Sequence, residues 1–349
     1  MRAGILHNLN IKNRTLTVED CQIPQIGAQS ILIRVAYCGF CHHDLSVWNG
    51  LLTRGVSKKI IMGHEISGII EIVGKNVEDY KIGDRVITLL TDSCGQCFRC
   101  LSDNSYRCLE GKGIGHSIDG GFAEYVAVSE NCVFKVDDGI SLVNAAMIAC
   151  PIGVIESAFL QLNKSYKTIV VSGATGGLGI HALQKARMLS DQVIALTRSS
   201  HNEDLLLSLG ATDVVTYDPQ DEVGFSEIIM GVTSDYGAEL FVDTVGSIIF
   251  KESLKSMSQF GTLVTLGDIH GHTIDFHLSE VLFKDLKIFG FTGTTRKAIE
   301  LAQQDILHGS IKPIIADIIN LNDLNQAKNN MENSSTIGRI LVNLHDVNR

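Results

Sequence analysis

The chain has 349 residues, 45% of them hydrophobic, and a formal net charge of −10 from 29 basic and 39 acidic side chains. That length supports more than one hydrophobic core, and an acidic balance with no block of Lys or Arg excludes an electrostatic nucleic-acid surface. No apolar run reaches the roughly 18 residues of a membrane span and the N-terminus carries no leader pattern, so a cytoplasmic protein without a membrane partner is expected.

Residues 1–37 read as short strands and turns, for instance the β-branched run Ser30–Ala36. The first stretch with chemical content runs from Cys38 to Glu65. Cys41 offers a thiolate, His64 an imidazole, and Asp44 and Glu65 two carboxylates, a set that suits a borderline metal such as zinc. A buried cysteine and a satisfied histidine on unrelated strands would give the same letters. Strand signals follow at 67–73, 85–89, 122–128 and 133–136, punctuated by glycines, so this half is β-rich.

Nine cysteines are an odd number, and their clustering favours metal ligation over a disulfide framework. Cys94, Cys97, Cys100 and Cys108 are spaced by two, two and seven residues. Four thiolates on one compact lobe can close a tetrahedral structural zinc. An iron–sulfur cluster would want a third gap of three residues and a following proline, where this chain has seven and Leu109. Cys21, Cys38 and Cys132 read as packing residues.

After Cys150 and Pro151 the pattern changes to alternating strand and helix. Strands are expected at 168–172, 192–196, 213–217, 239–243, 262–266 and 286–289, separated by amphipathic stretches such as 247–257, which describes a doubly wound parallel six-stranded sheet. The first strand runs into Gly173-Ala-Thr-Gly176-Gly177-Leu178-Gly179 and then a helix with Ala182 and Ala186 on one face. Glycines there let the backbone approach a dinucleotide pyrophosphate at the helix N-terminus. At the tip of the second strand, Thr197-Arg198-Ser199-Ser200 offers a cation and hydroxyls and no carboxylate, which favours NADP(H) over NAD(H). A helix at 297–308 closed by Gly309 and a last strand at 339–344 complete the chain.

These residues resemble the zinc-dependent alcohol dehydrogenases of the medium-chain dehydrogenase/reductase superfamily. The resemblance is carried by Gly39-x-Cys41-His42-x-Asp44, Gly63-His64-Glu65, the four-cysteine lobe, Asp119-Gly-Gly-Phe-Ala-Glu-Tyr125, the glycine loop and Gly338-Arg339. It implies an α/β protein with a GroES-like β-rich catalytic domain, residues 1–150 with 289–349 returning to it, and a Rossmann domain at 151–288. By the same resemblance Cys41, His64 and Cys150 bind a catalytic zinc, Glu65 lies behind it as an occasional ligand, Asp44 orients His64, and His42 and Arg339 bind the pyrophosphate. The family starts its proton relay with a Ser or Thr where this chain has His43, and often continues it with a histidine where this chain has Ser46. His43 is therefore expected to serve as relay or general acid, unless proton transfer is rerouted.

The expected activity is zinc-dependent hydride transfer between NADP(H) and an alcohol, aldehyde or semialdehyde. A second reading comes from the C-terminal half, where 173–186, 243–246, 252–257 and 283–290 resemble the acryloyl-CoA reductase branch. Members of that branch reduce an activated double bond and need no zinc at the hydride-transfer site. A third reading is a non-catalytic nucleotide-binding protein. By the family resemblance Leu89 and Leu90 stand where family members often carry a bulky aromatic, which implies an aliphatic substrate cleft with Trp48 nearby, and the lack of the insertion that dimeric relatives carry after the four-cysteine lobe implies a homotetramer rather than a dimer.

Overall fold

The computed structural model describes residues 1–7, 14–162, 165–218, 223–333 and 336–344. Two compact units emerge, one of Met1–Gly153, Gly293–Gly309 and Ile315–Arg349, the other of Val154–Thr292 and Ser310–Ile314.

The first unit is the GroES-like one, and the 11-residue strand Ser30–Phe40 is its hub. It pairs antiparallel with Glu65–Val73, Tyr125–Ser129 and Arg339–Asn343. Its residues alternate Ile, Val and small side chains, and Ile31, Ile33, Val35, Ala36, Cys38 and Phe40 are all at most 1% exposed, so both faces are covered. Register then decides what meets at the end of the hub. Gly39 lies opposite Glu65, and Phe40 opposite Ile340, one residue from Arg339. The next residue, Cys41, is thereby delivered beside His64, Glu65 and Arg339. The strand expected at 122–128 is assigned only over Tyr125–Ser129, because Gly120, Gly121 and Phe122 spend their amides on the carbonyls of Ile61, Gly63 and Met62.

The second unit is a six-stranded parallel sheet in the order 213–216, 192–197, 168–172, 238–243, 257–265, 287–290. The edge strand Lys287–Gly290 is largely exposed, while the central strands 168–172, 192–197 and 238–243 are buried almost throughout, as a sheet covered on both faces requires. Val170, Ile194, Phe241 and Leu263 are fully buried in its core, joined by Phe225 and Ile229 from the helix Phe225–Val232. The helix expected over 247–257 is shorter, Phe250–Lys255. Asp268 captures the backbone N–H and hydroxyl of Ser247 and holds the first turn as loop, while Met257 already opens the fifth strand. The last strand, Lys287–Gly290, also belongs here, so the chain leaves this unit after Thr292 rather than at 288.

Candidate active site

Cys41 follows the hub strand and is the N-cap of the helix His42–Trp48. Asp44, in the first turn, accepts the Cys41 N–H on Oδ2 at 2.9 Å and faces His64 Nδ1 with Oδ1 at 3.2 Å. One buried carboxylate thus fixes the Cys41 backbone and, by accepting the Nδ1 proton, leaves the Nε2 lone pair of His64 free to ligate. Cys150 arrives on a turn of π-helix, Ile148–Ile152. Pro151 has no N–H for the carbonyl of Met147, so Ile152 gives its own at 3.1 Å, and the wide turn holds Cys150 against the other ligands.

The ligand atoms of Cys41, His64, Glu65 and Cys150 lie within 4.8 Å of one another and all four residues are buried. Neither carboxylate oxygen of Glu65 has a hydrogen-bond donor. Its Oε2 sits 3.0 Å from Arg339 Nε, off the line of the N–H, which makes an ion contact rather than an aligned hydrogen bond. Burial pushes the Glu65 carboxyl up to about 7 even so. The hydrogen bond with Cys150 holds the Cys41 thiol well below its usual range, while the same bond and burial push Cys150 well above it, so one sulfur of the pair favours the thiolate. Two sulfurs, an imidazole lone pair and an undonated carboxylate in a closed space are a donor set for a zinc ion. Gly39 is fixed by this crowding, since a Cβ there would fall 1.9 Å from Glu65 Oε2.

The second donor set is Cys94, Cys97, Cys100 and Cys108, again within 4.8 Å of one another and half-buried. Backbone N–H groups, that of Leu109 foremost, draw the Cys97 thiol down to about 6, as suits a thiolate ligand.

The remaining expected residues divide. His43 is half-buried, its ring edge-on to His64 with centroids 5.0 Å apart. Ser46 donates its hydroxyl to the His42 carbonyl at 3.0 Å, and His42 is exposed. Arg339 is 3% exposed, with Nη2 lacking an acceptor. Trp48 and Leu89 are core residues at 4% and 3% exposure, and Trp48 packs on Phe40. The sequence reading missed His116, whose ring lies 5.3 Å from that of His43. Burial, then the charges of His43 and His64, push it down to about 4, so it is neutral across the physiological range. Its signal was Gly113, where a Cβ would fall 1.7 Å from the His116 ring.

In the second unit Gly173 has φ +58°, and a Cβ on Gly179 would lie 2.1 Å from the Gly173 carbonyl, so the loop closes only with glycine at both places. Gly176 donates to the Gly173 carbonyl at 2.8 Å, and Leu178 leads into the helix Gly179–Arg187. Arg198 is exposed at the strand tip, with Thr197 buried before it and the Ser199 hydroxyl 2.9 Å from His201 Nδ1. Among the described residues no helix is long and apolar enough to cross a membrane.

Residues 27–138 match the alcohol dehydrogenase GroES-like domain family, and residues 177–306 the zinc-binding dehydrogenase family. An acryloyl-coenzyme A reductase of Sulfurisphaera tokodaii is 30% identical over 93% of this chain and 95% of its own. An alcohol dehydrogenase of Geobacillus stearothermophilus is 30% identical over 98% of this chain and 99% of its own. The solved structure of the Aeropyrum pernix alcohol dehydrogenase superposes with a TM-score of 0.89 at 27% identity, covering 98% of this chain and all of that one. With two zinc donor sets on a GroES-like unit and a glycine loop on a Rossmann sheet, the chain belongs to the zinc-dependent medium-chain dehydrogenase/reductase superfamily of oxidoreductases.

Proposed function

We propose that the protein uses NADPH to reduce the activated double bond of an α,β-unsaturated thioester. The observation that carries this is the missing hydroxyl relay beside the buried ligand cage. His43 stands where an alcohol dehydrogenase carries the first hydroxyl, and the only hydroxyl on that helix, Ser46, is spent on the His42 carbonyl. Oxidising an alcohol requires its proton to leave through such a relay, whereas reducing a conjugated double bond adds hydride at the β-carbon and a proton at the α-carbon. The likeness to acryloyl-coenzyme A reductases supports the same reading.

Cys41, His64 and Cys150 would hold a zinc ion, with Glu65 behind it as an occasional ligand, and the ion would supply Lewis-acid chemistry toward a substrate carbonyl. Asp44 keeps His64 in the ligating tautomer, and Arg339 offsets the negative charge of the cage through Glu65. In this reading His43, edge-on to His64, holds the transferred proton. The loop Gly173–Gly179 takes the pyrophosphate on its amides, and Arg198 with the hydroxyls of Thr197 and Ser199 takes the 2′-phosphate.

A panel of short enoyl-CoA thioesters and aliphatic aldehydes, assayed by NADPH consumption, is expected to give kcat/KM at least about 100-fold higher for the thioesters. Equal or reversed values would return the assignment to carbonyl chemistry. That second reading, NADP(H)-dependent interconversion of alcohols and aldehydes, is favoured by the Cys41–His64–Cys150 set itself. For the cofactor, Arg198→Asp is expected to weaken NADPH binding by about tenfold or more while leaving NADH binding within about twofold, because a carboxylate repels the 2′-phosphate and tolerates a 2′-hydroxyl. Dissociation constants for both nucleotides check it, and a wild-type preference for NADH would sink it.

A further inference from the structure

We infer that His181 is a positioning residue for the dinucleotide: it sets the Gly177–Leu178 peptide for the pyrophosphate and is itself anchored by the segment Lys312–Ile314. The inference deepens the cofactor reading above and rests on it. His181 is fully buried in the first turn of the helix Gly179–Arg187. In a regular helix the Gly177 carbonyl would receive the backbone N–H of His181, four residues on. Here that N–H turns to the Leu178 carbonyl at 3.1 Å, and the imidazole takes the Gly177 carbonyl in its place, Nδ1 to oxygen 2.7 Å.

The other ring nitrogen decides the protonation. Ile314 donates its backbone N–H to His181 Nε2 at 3.1 Å. An N–H can only donate, so Nε2 is the acceptor and the proton sits on Nδ1, directed at Gly177. The peptide that follows Gly177 is planar and trans, so a carbonyl held toward the helix turns the Leu178 N–H the opposite way, available to an anion in the glycine loop. Gly176 and Gly177 have no side chains to limit their rotation, which makes this the loop peptide most in need of an outside constraint.

The anchor is equally specific. Gln184, on the same helix, accepts the Lys312 N–H at 2.8 Å and donates to the Lys312 carbonyl at 3.1 Å. Ser310–Ile314 thereby belongs to the dinucleotide-binding unit, although the residues on either side of it in the chain belong to the other. One buried imidazole and one buried amide join the cofactor loop to the segment through which the chain passes back.

Two near-isosteres separate the two bonds. His181→Asn keeps a donor at the Nδ1 position for Gly177, and His181→Gln keeps an acceptor at the Nε2 position for Ile314. With binding followed by NADPH fluorescence, the Asn variant is expected to hold the wild-type Kd within about twofold. The Gln variant is expected to raise it about tenfold, the effect of one buried acceptor left without its donor. Equal Kd values for all three proteins, or an Asn variant as weak as the Gln variant, overturn the inference alone. Failure of the wild type to bind either NADPH or NADH overturns the cofactor reading beneath it. Hydrogen exchange on the wild type reads the same link without substitution, so an unstable variant leaves the test standing. NADPH is expected to protect 173–181 and 312–314 together, and protection confined to 173–181 removes the anchor from the proposal.

Discussion

Replacing His64 by alanine is expected to lower turnover by about a thousandfold and to remove one zinc per chain, leaving the other in place. The magnitude follows from the several kcal/mol of charge stabilisation that a metal gives a developing enolate or alkoxide, about 1.4 kcal/mol per factor of ten in rate. His64 is the suitable ligand to remove because its role is fixed from both sides. Asp44 takes its Nδ1 proton, and Nε2 lies 3.8 Å from Glu65 Oε1 inside the cage. Alanine also leaves Asp44 without its imidazole partner, so loss of metal and loss of order at Cys41 add in the same direction. Metal analysis alongside kcat is the check. A variant that keeps both metals, or loses one with turnover unaffected, would remove the cage from the chemistry and leave a reductase that works through the cofactor alone.

The ligands of that cage were legible as residue types, and their convergence was not. Cys41 and His64 are 23 positions apart and Cys150 lies 86 further on, and the register of Gly39 against Glu65 and of Phe40 against Ile340 brings the first two beside Arg339. The parallel sheet was legible strand by strand, because a sheet covered on both faces leaves unbroken Val and Ile runs bounded by turns. Helix lengths were less so. The expected helix 247–257 lost its first turn to Asp268, a side chain 21 positions away from Ser247 that no local periodicity encodes. His116 went unread for the same reason. What made room for it was the absence of a side chain at Gly113, and a missing atom shows in a sequence only as one more glycine. The segment Ser310–Ile314 is held by His181 and Gln184, which lie on the buried face of a helix where apolar residues are the usual occupants, so nothing in its own letters announces where it docks.

Substituting Cys97 by serine is expected to empty the four-cysteine lobe of its metal and to open it to trypsin, while the rest of the chain stays folded. No residue from Cys94 to Gly111 is buried, and Phe98, Leu101 and Leu109 are 67%, 76% and 58% exposed. The lobe therefore has no apolar core. Its regular structure is the four-residue helix Phe98–Leu101 and a single 3₁₀ turn, Ser105–Arg107, far below the length at which helices hold by themselves. Ordering its residues costs backbone entropy that no apolar core opposes, which leaves metal–thiolate bonds, worth about 10–16 kcal/mol at a structural zinc, as the largest single term against it. Arg99 and Arg107 lie inside the lobe, tied by a bond from Arg99 Nη1 to the Arg107 carbonyl at 2.8 Å, so both trypsin sites are shielded only while the lobe keeps its shape. The damage should spread in one direction. A Cβ on Gly293 would fall 2.7 Å from the Tyr106 ring, so the lobe packs directly on the residue where the chain re-enters the GroES-like unit. Cleavage at Arg99 or Arg107 in the variant but not the wild type, with zinc content down by one per chain, is the expected result. A variant that loses the metal and stays resistant would mean that the surrounding loops, rather than the thiolates, hold this lobe together.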